Sequence, residues 1–207
     1  MFIEIPASKR SISQRKLVYG IGINDADYVT QPSVNGRQVT CGIYKAWRGM
    51  LERCYCEKTR HNNPSYRDCT VFPDWLIFSN FKKWMANQDW KGNELDKDII
   101  KVGNKVYHPD LCAFVSQDVN KLLSHGGFVD NGMPPGVYYH KKGKVFIAQI
   151  GKHSKVVYIG SYSTPLEAGV AYAKAKGEHI LHVASQQDEE RIKNGLAMHA
   201  EYWLSKR

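Results

Sequence analysis

Apolar and polar positions alternate most regularly between Gly136 and Gly160, where three short runs keep the period of two that a half-buried strand requires. In the central run Phe146, Ala148 and Ile150 fall on one face, and Ile147, Gln149 and Gly151 on the other. From Val156 to Gly160, Val157 and Ile159 point inward while Val156 and Tyr158 share the open face with Gln149. From Gly136 to His140, Val137 points inward and Tyr138 and His140 outward. The period then changes to that of a helix, and its start is marked: Thr164 caps, Pro165 takes the first helical position and Glu167 completes a capping box. Ala168, Ala171 and Ala175 are small enough to let this helix lie close on the sheet. The pattern predicts a three-stranded antiparallel sheet packed on one helix over residues 135–184.

Helical periodicity governs the first half. Tyr44, Trp47, Met50, Leu51 and Cys54 recur at three- and four-residue steps, predicting a helix of about three turns from Cys41. The polar stretch EKTRHNNPSY reads as a loop, CTVF as a short strand or turn. Trp75, Phe78, Phe81, Trp84 and Met85 then return to helical spacing, which makes them core packing rather than a base-stacking surface. Next comes a β-β-α unit: a strand from Leu95 to Ile100, a turn through Gly103 and Asn104, a second strand ending in a Pro-marked loop, and a helix from Ser116 to Leu123 capped by Ser116. The last segment predicts a helix capped by Ser185, with Ile192, Leu196, His199 and Trp203 as its packing stripe. Residues 1–40 carry loop chemistry and a basic group of Lys9, Arg10, Arg15 and Lys16. The expected class is α+β, with a basic extended segment (1–40), a helical and β-β-α domain (41–124), a Gly/Pro-rich linker (125–134), the sheet-helix module (135–184) and a terminal helix (185–207).

Composition narrows the class of partner. With 207 residues, 43% hydrophobic and 24% charged, the chain has room for one to two domains, and its formal charge of +9 favours a polyanion. A membrane surface is not expected, because no basic amphipathic helix carries bulky apolar residues opposite its charges. The first residues lack the apolar block of a signal peptide, so a cytoplasmic location is expected. Five cysteines, an odd number, argue against a disulfide framework. Cys54, Cys56, His61 and Cys69 cluster in sequence without a Cys-x-x-Cys pair, so zinc is not expected and reduced thiols are.

From Pro134 to Ser185 there are seven lysines, no arginine and two acids, a balance of +5. Lys141, Lys142, Lys144, Lys152 and Lys155 sit in the turns between the strands. Such lysines neutralise phosphates, Gln149 reads a base edge, and the rings of Tyr138 and Tyr158 contact sugar or thymine methyl groups. The alternative for the same residues is a solvated sheet face. The order Gly-Val, Lys-x-Phe-x-Ala-x-Ile, Tyr-Ile-Gly-Ser-Tyr-x-Thr and Glu-Ala-x-x-Ala-Tyr resembles the Apetala-type (ethylene-response-factor) DNA-binding domain, in the form attached to bacterial and phage HNH homing endonucleases. That resemblance implies double-stranded DNA as partner, with Tyr138, His140, Gln149 and Tyr158 entering the major groove. Gly151 and Val156 stand where the family usually has a basic residue.

The stretches LDKDI, YHPDLCAFVS and QDVN resemble phage-encoded HNH-type endonucleases, whose one-metal site is built on a β-β-α scaffold. The resemblance implies Asp96 as metal carboxylate and Asn120 as the polar helix position, holding a divalent ion such as magnesium or manganese. Where the active family has the base histidine, this chain has Lys97, which is protonated at its ordinary pKa. His108 is the nearby substitute, and Asp98, two residues from Asp96 on a strand, is expected to share its face and to help hold the cation. Two readings stand: a phage or mobile-element DNA endonuclease with a degenerate site, or a non-catalytic regulator or host-directed inhibitor that keeps the scaffold for DNA or a host protein. A third, RNA binding through the aromatic-rich first domain, predicts a preference for single strands.

Overall fold

The computed structural model of the chain describes residues 2–123, 132–152 and 155–206. Helices and strands mix in an α+β arrangement, and contacts divide it into two units: Met1–Asp98 with Gly103–Phe114, and Ile99–Val102 with Val115–Arg207. Of the expected linker, residues 125–131 lie outside the described residues. Among the described residues no helix is long and apolar enough to cross a membrane.

The first unit forms around aromatic side chains. Helix α1 (Lys9–Ser13) is capped by Ser8, and strands β1 (Ser33–Val34) and β2 (Arg37–Gln38) form a hairpin. Asn35 and Gly36 make its turn, with φ of 52° and 74°, the backbone that an Asn-Gly pair adopts most easily. The segment expected to be extended and basic therefore has structure of its own. Arg15 is part of that structure, since its guanidinium donates to the carbonyls of Asn24, Ala26 and Tyr28.

Helix α2 (Gly42–Tyr55) buries all five residues of its expected stripe. The polar stretch read as a loop instead holds helix α3 (Glu57–Asn62) and a 3-10 turn at Pro64–Tyr66. Its apolar periodicity is absent because α3 has no buried residue, so the pattern had nothing to report. Strand β3 (Thr70–Val71) leads into a 3-10 turn and helix α4 (Phe78–Met85). Trp47 packs edge-on against Phe78, and its indole N–H donates to the Trp75 carbonyl at 2.6 Å. Trp75, Phe81 and Trp84 form a second ring cluster. Trp47 and Trp75 are buried, so neither is available to stack on a base.

The expected first strand of the β-β-α unit is shorter than its sequence suggests. Strand β4 spans Glu94–Asp96, and the Asp96 carboxylate accepts the backbone N–H of Asp98 at 2.7 Å, the turn an Asp makes with the chain two residues on. That turn ends the strand before Ile100. Strand β5 (Val106–Tyr107) pairs in parallel with β3, with Thr70 opposite Val106, and not with β4. The partner of β4 is β6 (Ala113–Val115).

In the second unit, helix α5 (Gln117–Leu123) has Ser116 accepting the Val119 N–H, as expected. Strands β7 (Val137–His140), β8 (Val145–Lys152) and β9 (Lys155–Tyr162) make an antiparallel sheet in that order. Helix α6 (Pro165–Ser185) starts with the full capping box: Thr164 accepts from the Glu167 N–H, and the Glu167 carboxylate accepts from the Thr164 N–H. Val137, Ala148 and Ala168 form the buried centre between sheet and helix. Ala168 is buried as expected, but Ala173 is the next buried alanine, with Ala171 and Ala175 only half-buried. The reason is helix α7 (Glu190–Leu204), which packs along α6 and draws the buried stripe round to Ala173, Gly177 and Ile180. The expected stripe of Ile192, Leu196, His199 and Trp203 is buried. Ser185 is not its cap: it closes α6, its hydroxyl donating to the His182 carbonyl, and α7 begins after Glu189.

Candidate nucleic-acid interface

Register fixes which side chains the sheet shows on the side away from α6. Tyr138 lies opposite Ile147, His140 opposite Val145, Gln149 opposite Tyr158, and Gly151 opposite Val156. All four residues expected on the open face are therefore on it. A bulge where Ala148 pairs with Gly160 but Gln149 with Tyr158 leaves Ile159 unpaired, and it shifts Ser161 opposite Ile147. Ile159 packs on the sheet-helix core. Strict alternation carries no sign of such a bulge, so Ser161 was not legible as a face residue. It matters, because the Tyr158 hydroxyl and the Ser161 hydroxyl share a hydrogen bond of 2.7 Å that holds the Tyr158 ring on the face.

Polar capacity on this face is concentrated in one group. His140 accepts the Gly143 N–H on Nδ1 at 3.2 Å, so its ring is tied to the β7–β8 turn. Among the described residues the Gln149 carboxamide has no hydrogen-bond partner, although it lies near the middle of the sheet. The lysines sit at the two ends of the strands. Lys141, Lys142 and Lys144 are exposed in the β7–β8 turn, while Lys152 and Lys155 are paired in register at the far end. Between Pro135 and Ser163 there is no acidic residue. Lys144 has φ of 51°, a left-handed conformation that favours Gly or Asn and that a lysine adopts at a cost.

The HNH-like residues lie at the end of β4 and in the loop that follows it, beside Phe72, and on α5. The Lys97 side chain is 5% exposed, and its ammonium lies 2.6 Å from the Asp98 carboxylate and donates to the Asn104 carbonyl at 3.1 Å. Asp98 is thus neutralised by its neighbour, and because β4 ends at Asp96 the two carboxylates do not share a strand face. Asp96 itself accepts the Asp98 N–H. This donor set does not suit a two-carboxylate cation site. His108 accepts the Asp110 N–H on Nδ1 at 3.2 Å and packs edge-on to Phe72 at 4.6 Å. Asn120 sits on α5.

Asn104, read only as a turn residue, holds this region together. Its amide donates to the carbonyls of Lys97 at 2.7 Å and Val106 at 2.8 Å, closing the loop between β4 and β5. The sequence signal was its place after Gly103, which adopts φ of 72°. Burial pushes the Cys54 and Cys112 thiols up to about 12, and nearby Cys69 adds to the rise at Cys54. Burial raises Cys69 as well. Cys56 is lowered, chiefly by hydrogen bonding from the Thr59 side chain and backbone. Among the described residues no group of three or more His, Cys, Asp or Glu side chains is gathered to hold a metal ion.

Comparison with protein-family models, with curated proteins and with solved structures finds no match to this chain.

Proposed function

We propose that this chain binds double-stranded DNA through the outer face of the β7–β9 sheet and does not cleave it. The observation that carries the reading is a sheet without a single acid, with lysines at both strand ends and an unpaired carboxamide between them. Lysines at the ends of the strands neutralise phosphates and release their counterions, which supplies affinity without sequence preference. The residues between them meet base edges, which supplies discrimination. A three-stranded face has the dimensions for this: strands about 4.8 Å apart make a ribbon about 10 Å wide, against a major groove of about 12 Å.

The absence of cleavage rests on Lys97. A buried ammonium paired with Asp98 accepts no proton from water, and it engages the carboxylate expected to help Asp96 hold a cation. The first unit then acts as a folded body that accompanies the DNA-binding unit, and a protein partner for it fits the host-directed alternative.

Labelled duplex DNA titrated with the full chain tests the binding. Lys142→Ala and Gln149→Ala weaken it, and single-stranded RNA competes poorly. Supercoiled plasmid incubated with magnesium or manganese stays intact. Nicks that disappear with chelator and in Asp96→Ala would restore the nuclease reading, and absence of duplex binding would remove the DNA reading altogether.

A further inference from the structure

Beyond the lysines of the β7–β8 turn, the outer sheet face carries no charge, because the Lys152–Lys155 pair falls by register on the α6 side. Val145, Ile147, Val156 and the Tyr138 and Tyr158 rings make it mostly apolar. Val156 is 70% exposed and Tyr158 61% exposed, on the side of the sheet away from α6. Its hydrogen-bonding groups are largely spent on the protein: Tyr158 on Ser161, His140 on Gly143. Gln149 keeps its full capacity, one donor and one acceptor side by side. Next to it the sheet has a gap. A Cβ added at Gly151 would meet nothing within 4 Å, and the residue directly across from Gly151 is Val156.

We infer that this face reads thymine: Gln149 pairs with adenine in the major groove, and the open space over Gly151, beside the exposed Val156, receives the thymine C5-methyl group. The inference rests on the DNA-binding reading above and adds the base pair that the sheet prefers. Three chemical facts lead to it. The adenine N6/N7 edge matches a carboxamide with both bonds, whereas guanine O6/N7 calls for an arginine or lysine in the middle of the face, and the cations here stand only at the ends. The C5-methyl is the one apolar group that B-DNA shows on a base edge, and it lies only in the major groove. A glycine opposite an exposed valine leaves room for a group of that size, where a side chain at residue 151 would have filled it.

A 5-methylcytosine offers the same methyl on a different base pair, so the test separates the two sources. The full chain is titrated by fluorescence anisotropy, at one salt concentration, against four duplexes of equal length: alternating dA·dT, dA·dU, dG·dC and dG·5-methyl-dC. Binding to dA·dT is expected to be about fourfold tighter than to dA·dU, the effect of one buried methyl. Both dG duplexes bind more weakly than dA·dT, with the methylated one the better of the two. Gly151→Val puts a side chain into that open space, and it removes the difference between dA·dT and dA·dU while duplex binding persists. Val156→Ser, on an exposed side chain that the fold does not need, narrows the same difference. Gln149→Ala brings dA·dT down towards dG·dC. Equal affinity for dA·dT and dA·dU, tighter binding to dG·dC, or a thymine preference that survives Gly151→Val would each overturn the inference and leave DNA binding in place. Failure to bind any of the four duplexes would overturn the DNA reading itself.

Discussion

Lys97 shows how one side chain fastens a local structure. The Asp96 turn ends the strand, and Lys97 then ties the bend by donating to Asp98 and to the Asn104 carbonyl. Asp98→Asn removes the charge that offsets a buried ammonium, and is expected to cost about 1.5–3 kcal/mol in urea denaturation; a change below 0.5 kcal/mol, roughly the size of an ordinary surface substitution, would show that the pair contributes little. The thiols give a second prediction at this scale. Cys54 and Cys112, raised from 9.0 to about 12 by burial, stay protonated while Cys56 is lowered. At pH 8 a thiol reagent is therefore expected to modify one fast site in the native chain, lost in Cys56→Ser. The same shifts set a stability trend. Because the folded chain holds these protons more tightly than the unfolded one, their contribution is complete below pH 9 and declines as pH rises towards 12. Denaturation midpoints that rise between pH 9 and pH 11 would contradict it.

At the scale of elements, the β7–β8 turn separates stability from binding. Lys144→Gly relieves a left-handed backbone at the cost of a more flexible unfolded chain, so stability is expected to stay within about 1 kcal/mol. Duplex affinity falls nevertheless, because a phosphate contact is lost; unchanged affinity would place this turn outside the interface. Gly136 is the opposite case. Its φ of 71° and the approach of Tyr172 and the Gln149 carbonyl leave no room for a Cβ, so Gly136→Ala is expected to destabilise the sheet-helix packing by about 2 kcal/mol or more. Elements set by local chemistry were legible in the sequence: the α2 stripe, the Thr164 capping box, the strand alternation around Ala148. Elements set by distant partners were not. The parallel β3–β5 pairing, the Ile159 bulge and the start of α7 after Glu189 each depend on how the segment packs on another element, and no local pattern encodes them. For the candidate site, alternation placed Tyr138, His140, Gln149 and Tyr158 on one face, but the pairing of Lys97 with Asp98 required the folded loop.

For the whole molecule, net charge alone does not single out a surface for the proposed DNA binding. The formal charge of +9 is shared by both units, and the second unit has acids on its helices, at Asp118, Glu167, Glu178, Glu190 and Glu201, but none on its sheet. It is this segregation that selects the sheet face over the rest of a basic surface. If all five sheet lysines contact phosphates, the logarithm of affinity falls against the logarithm of salt with a slope of about −4.5, a loss of roughly 500-fold between about 50 and 200 mM. Lys142→Ala shallows that slope by about 0.9 on any duplex, since one phosphate contact goes. Gln149→Ala leaves the slope unchanged and lowers affinity only for duplexes that match its base contact. Substituting Lys9, Arg10 and Lys16 together provides the contrast: these residues belong to the first unit, and removing them leaves the slope where it was. A slope that responds to the Lys9 group and not to Lys142 would move the interface off the sheet, whatever the affinity of the intact chain.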